Sequence, residues 1–128
     1  MTEPEFTESL LKQKFPELAF NYLVFFIEEL AEEIRVYAGQ GASDEQWADT
    51  QALKVVEEAG EFIGAWNRLK GFCRRSGDMK EVTKELSDVI IASFVMFAVL
   101  DEDAQVHIKG KLWEIITRGY VNKDDSAR

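Results

Sequence analysis

The sequence predicts an all-α chain, an antiparallel four-helix bundle, on three observations. Apolar residues recur at helical spacing over long stretches. The breaks between those stretches are short and carry glycines or capping residues, which favours antiparallel neighbours. No alternating strand pattern, internal repeat or low-complexity block competes with this reading.

The elements follow in order. Met1 to Lys14 is mixed and polar, a short helix or a loose arm covering residues 1–15, and Pro16 opens the first long helix near its N-terminus. That helix runs to about Ala38 on a stripe of Phe20, Leu23, Ile27, Leu30, Ile34 and Tyr37, and Gly39 and Gly41 stop it. Ser43 with Gln46 reads as a capping box for a second helix reaching about Lys70, with a break near Trp47 to Asp49 as an alternative. After a turn between Gly71 and Gly77, Asp78 with Glu81 starts a third. It contains the run Val89 to Leu100, in which Ser93 is the only polar side chain, so this helix is expected to be buried on every side. The run is too short for a bilayer, which takes about 20 residues. Asp101 or Asp103 begins a fourth helix ending at Gly119, and residues 120–128 read as a frayed tail.

Composition sets the outer bounds. A chain of 128 residues suits a single domain, and 46% apolar residues with nine Phe and three Trp supply a sizeable core. A net charge of −9 argues against duplex nucleic acid or an anionic membrane as partner. Cys73 is the only cysteine, which excludes an internal disulfide, and the acidic, polar start shows neither signal nor transit pattern, so a reducing cytoplasm is expected.

Two acidic pairs carry chemistry. Glu58 and Glu61 lie on the second helix, Glu85 and Asp88 on the third, and residues three apart on a helix are neighbours. Glu61 stands about ten residues before the turn and Glu85 about seven after it, roughly 15 and 10 Å at about 1.5 Å per residue, so the pairs reach similar heights. Four carboxylates together repel and lose hydration unless protons or cations neutralise them. Oxygen-only ligands point to Mg²⁺ or Mn²⁺, and Mg²⁺ commonly completes its shell with substrate phosphates. The pattern Glu28-Glu29-Leu30-Ala31-Glu32 shows that such a pair also arises as a plain solvated face. The second pair differs because it leads into the apolar run: Asp88 shares a stripe with Ala92, Val95 and Val99, and Glu85 one with Val89, Ala92 and Met96.

The stretch Lys54-Val-Val-Glu57-Glu58-Ala-Gly-Glu61, followed by Glu85-Leu-Ser-Asp88-Val, resembles the EExxE and ExxD signature of the MazG-type nucleotide pyrophosphohydrolases of the all-α NTP pyrophosphatase group. Lys111 to Arg118-Gly119 looks like that family's C-terminal basic segment, so the resemblance covers roughly residues 50–119. Ile108 stands where relatives often have Asn, and Asn122 to Asp125 matches their Gly-Asp-rich ending only loosely. The resemblance implies metal-dependent hydrolysis of a nucleoside triphosphate between the α and β phosphates, giving the monophosphate and pyrophosphate. It makes Glu58, Glu61, Glu85 and Asp88 the metal ligands and gives Glu57 the task of orienting the attacking water. It also implies a homodimer or a dimer of dimers, in line with the apolar third helix, which the other helices of so small a chain do not fully cover and which is therefore the surface expected to be shared between copies.

Independently of family, cations bridging phosphate oxygens would neutralise developing charge and activate a bound water. The candidate phosphate contacts are Lys111 and Arg118, on the spacing that the family resemblance implies, and after them Lys54 and Lys109, and each is alternatively an exposed charge. Trp47 and Trp66, with Phe62, are candidates for stacking on a base, against core packing for each. His107 has no carboxylate three residues before it and no second His to pair with, and reads as a surface residue, which removes a di-iron bundle built on Glu-x-x-His. The rival reading is non-enzymatic, an acidic helical adaptor or regulatory oligomer whose apolar third helix is an assembly core.

Overall fold

The computed structural model describes residue 2 and residues 20–120, and the regular structure among them is helical with no strand. The expected arm, the helix start at Pro16 and the tail from residue 121 lie outside the described residues. The helices are α1 (Phe20–Ala38), α2 (Asp44–Leu69), α3 (Met79–Val99) and α4 (Ala104–Ile115), followed by a π-helical turn, Ile116–Tyr120. No described helix is long and apolar enough to cross a membrane.

The chain divides into two compact units. The larger spans Ile27–Glu102 and holds the end of α1 with all of α2 and α3. Its local structure follows the capping chemistry closely. The Ser43 hydroxyl accepts from the Gln46 amide at 3.1 Å while the Gln46 side chain accepts from the Ser43 amide at 2.9 Å, satisfying two donors at the start of α2. α2 then continues without a break through Trp47 to Asp49 and ends at the Lys70 cap. Gly71 follows at φ 77°, in the left-handed region where a side chain is disfavoured. Asp78 caps α3, its carboxylate accepting from the Glu81 amide at 2.8 Å. Arg68 on α2 pairs with Glu81 on α3 across the turn. A Cβ on Gly77 would stand 2.9 Å from the Arg68 Cβ, so the turn closes this tightly only with glycine.

α2 and α3 pack against each other as an antiparallel hairpin. Arg68 meets Glu81 near the turn, Glu61 stands by Glu85 further along, and Trp47 shares a cleft with Ala98 and Val99 at the far end. The core of this unit is formed by Ile27, Ala31, Trp47, Ala65, Val82, Phe94 and Val95.

Two expectations about burial need correction. The buried face of α1 runs through Val24, Ile27 and Ala31, whereas Leu23, Leu30 and Tyr37 of the expected stripe are exposed. α1 is apolar around most of its circumference from Tyr22 to Ile27, so spacing alone leaves its orientation open by about a residue. α3 is not buried on every side: Phe94 and Val95 are covered, but Ile90 is 49% and Ile91 37% exposed. One hairpin partner shields one face of a helix, and the opposite face of the apolar run stays open.

The smaller unit contains α4 and the π turn. The Asp103 carboxylate caps α4, accepting from Gln105 and Val106 amides at 2.9 and 3.4 Å. The α-helix ends at Ile115, and the expected helix to Gly119 is completed by the wider turn.

Candidate metal centre

Three of the predicted carboxylates converge. One oxygen each from Glu58 and Glu61 on α2 and Glu85 on α3 lie within 4.8 Å of one another. The hairpin accounts for this: the i, i+3 pair on α2 points at the strip of α3 that the turn brings to the same height. Glu58 is buried, 8% exposed, while Glu61 is open to solvent and Glu85 half-buried.

Electrostatics of the cluster are unbalanced. Lys54 is its nearest cation, 3.0 Å from one oxygen of Glu58 and 3.2 Å from Glu57. Hydrogen bonding to Glu58 and then Glu57 raises the Lys54 pKa above its ordinary value. The second oxygen of Glu58 and one oxygen of Glu85 are buried without any hydrogen-bond partner among the described residues. Glu61 takes the consequence: the charge of Glu58 first, then desolvation, then Glu85 and Glu57 push its carboxyl above the ordinary range. Buried polar atoms are nearly always paired, and two orphaned acceptors facing a third carboxylate leave room for a bound cation. The donors are all hard oxygens with no His or Cys among them, which fits Mg²⁺ or Mn²⁺ rather than a softer metal.

The remaining predicted residues distribute around this centre. Asp88, one turn after Glu85, is outside the converging three and lines an adjoining cavity of about 320 Å³ together with Glu58, Lys54 and Trp47. That cavity has an apolar wall from Ile34, Ile91 and Val95. Glu57 is exposed and tied to Lys54. Trp47 is 7% exposed, with the Arg35 guanidinium over its ring at 5.3 Å, while Trp66 is 39% exposed and lies under the Lys70 ammonium at 5.5 Å. Of the two, Trp47 lines the cavity and Trp66 does not. In the smaller unit, Lys111 and Arg118 both pair with Glu114, at 3.1 and 3.2 Å. Hydrogen bonding from Lys111 holds the Glu114 carboxyl below its ordinary value.

Sequence reasoning passed over Gln51 and Arg68. Gln51 is buried and lines the cavity, and its position was readable as one heptad before Glu58 on the stripe that also carries Trp47 and Ala65. Arg68 feels the charge of Glu85 beyond that of its partner Glu81, and only the closed turn brings it there.

No family model, curated protein or solved structure matches the chain.

Proposed function

We propose that the chain is a divalent-metal-dependent nucleoside triphosphate pyrophosphohydrolase, releasing pyrophosphate and the nucleoside monophosphate. The observation that carries this reading is the trio Glu58, Glu61 and Glu85, with two buried oxygens left unpartnered on facing helices. In this reading Glu58, Glu61 and Glu85 hold Mg²⁺, or Mn²⁺ in its place, and Asp88 joins them from the wall of the neighbouring cavity. A bound cation would supply charge neutralisation on phosphate oxygens and a more acidic water. Glu57, exposed beside the cluster, orients that water. Lys54, Lys111 and Arg118 contact phosphates, and the cavity beside Trp47 receives the nucleoside. The surrounding architecture is an antiparallel four-helix bundle working in the cytoplasm, with neither duplex nucleic acid nor membrane as partner, as the net charge of −9 favours.

The test is a panel of canonical and modified nucleoside triphosphates incubated with the full chain and Mg²⁺ or Mn²⁺, with pyrophosphate detected directly. Release from at least one nucleotide is expected, abolished by chelation and by Glu61→Gln or Asp88→Asn variants that keep their helical circular dichroism. An adaptor or regulatory oligomer would release none under any metal, and that result would overturn the proposal.

A further inference from the structure

The cavity beside Trp47 has two halves of different chemistry, and one face of α2 runs the length of both. Trp47, Gln51, Lys54 and Glu58 line it at steps of four, three and four residues, successive turns of a single helical face. Across from them, α3 contributes Asp88 and Val95. With Glu61 beside Glu85 on antiparallel helices, Glu58 is level with Asp88 and Gln51 with Val95. One half therefore carries the charges of Lys54, Glu58 and Asp88, and the other is walled by Ile34, Ile91 and Val95.

Gln51 breaks the apolar half. It is 9% exposed, and its amide has no hydrogen-bond partner among the described residues. Thr50, the neighbouring polar side chain of the lining, already donates its hydroxyl to the Gln46 carbonyl at 2.9 Å. Buried amides are nearly always paired, and a leucine would fill the same place without leaving a donor and an acceptor unmet. A donor and an acceptor held side by side in an apolar chamber match a ligand edge that offers the complementary pair.

Position and size say which ligand. Gln51 stands seven residues before Glu58, about 10 Å along the axis at about 1.5 Å per residue. With cations at Glu58 on the phosphates, the sugar lies one turn further along and the base arrives at Gln51. The cavity, about 320 Å³, is at the low end of the range of roughly 300–1,000 Å³ for small-molecule sites. A purine brings a second ring with further nitrogen acceptors, which a wall of Ile34, Ile91 and Val95 leaves unpaired. A pyrimidine offers on one ring the adjacent pair that an amide meets, the ring N–H with the C4 carbonyl in uracil or the ring nitrogen with the C4 amine in cytosine. The amide turns end for end to suit either.

We infer that Gln51 reads the edge of the base and that the site takes pyrimidine nucleotides in preference to purine nucleotides. This rests on the hydrolytic reading for where the phosphates lie.

The test has two arms, both on the full chain with Mg²⁺. In the first, pyrophosphate release is compared for UTP, CTP, ATP and GTP. Both pyrimidines should exceed both purines at least tenfold in kcat/KM, and Gln51→Leu should cut the pyrimidine values tenfold or more and bring the four together. Gln51→Glu, an acceptor only, should favour CTP over UTP at least tenfold, because a carboxylate accepts from the cytosine amine and repels the uracil carbonyl. A residue that merely shapes the chamber would not move the preference between two bases of one size. In the second arm, nuclear magnetic resonance follows the Gln51 side-chain amide, assigned by its loss in Gln51→Leu, and uridine monophosphate should shift it where adenosine monophosphate does not. A preference for purines, or a loss on Gln51→Leu shared equally by all four nucleotides, would overturn the inference and leave the hydrolase standing. Hydrolysis of none of the four with the Gln51 signal still shifted by uridine monophosphate would keep the base reading and remove the reaction. Silence in both arms would end both.

Discussion

Glu61 and Glu114 carry the same carboxyl, and both are open to solvent, yet their surroundings drive them in opposite directions. Glu114 stands between Lys111 and Arg118, each within one turn on its own helix, and its carboxyl is held below the ordinary range. Glu61 faces Glu58 and Glu85, with Lys54 engaged by Glu58 and Glu57, and its carboxyl is pushed up. One site supplies two cations for one anion. The other supplies one for four. Where charge is settled by side chains three and four residues away, the local helix has no need of anything else. Where it is left in surplus across two helices, with buried oxygens unpartnered, no further balancing cation comes from the described residues of the same helix.

The largest effect should come from removing that surplus where it is buried. Glu85→Gln keeps the shape of the side chain and takes away one charge and the orphaned acceptor. Loss of even an outer partner of a metal ligand costs roughly 10–100-fold, so metal-dependent pyrophosphate release should fall on the order of a hundredfold or more in kcat/KM. Unchanged turnover would place the chemistry elsewhere.

Next in size is the response of stability to metal and pH. In the folded chain Glu61 retains its proton above the ordinary carboxyl value of 4.5, so over that window the folded state binds more protons than the unfolded one. Stability without metal therefore declines as pH rises from the unfolded to the folded pKa of Glu61 and levels off above both. Divalent cation competes with that proton. Its stabilisation should be small at the acid end of the window and grow with pH, reaching about 2.7 kcal/mol at roughly a hundred times the dissociation constant. Thermal melts of the chain and of Glu61→Gln, with Mg²⁺ and with chelator, check this. The variant should lose the downward slope in chelator and most of the gain from metal. A chain whose melting point ignores Mg²⁺ at pH 7.5 would break the contrast with Glu114.

What could be foreseen from sequence divides along the same line between local and distant. The Ser43–Gln46 cap, the Asp78 cap and the facing of Glu58 and Glu61 with Glu85 were legible because each depends on a helix period and one short turn. Which way α1 turns, and how much of Ile90 and Ile91 is covered, depends on neighbours that spacing does not name. Asp88 shows the limit within the site itself. A step of three residues rotates it about 60° from Glu85 at roughly 3.6 residues per turn, enough to turn it from the cluster toward the adjoining cavity. Lys111 and Arg118 stand out through the resemblance to a family's basic segment, which says nothing of Glu114, the common partner that lies between them.

The smallest effect belongs to that partner. Exposed ion pairs of the i, i+3 and i, i+4 kind contribute little, so Glu114→Gln should leave the melting point essentially where it is. Its effect on kinetics separates two roles for Lys111 and Arg118. If both cations reach substrate phosphates, Glu114 competes with substrate for them, and the variant should show a lower KM for nucleoside triphosphate with kcat unchanged, the mark of altered uniform binding. If they serve only Glu114, neither parameter moves. Steady-state rates over a range of substrate concentrations at fixed Mg²⁺ distinguish the outcomes. A lower KM would assign Lys111 and Arg118 to substrate binding.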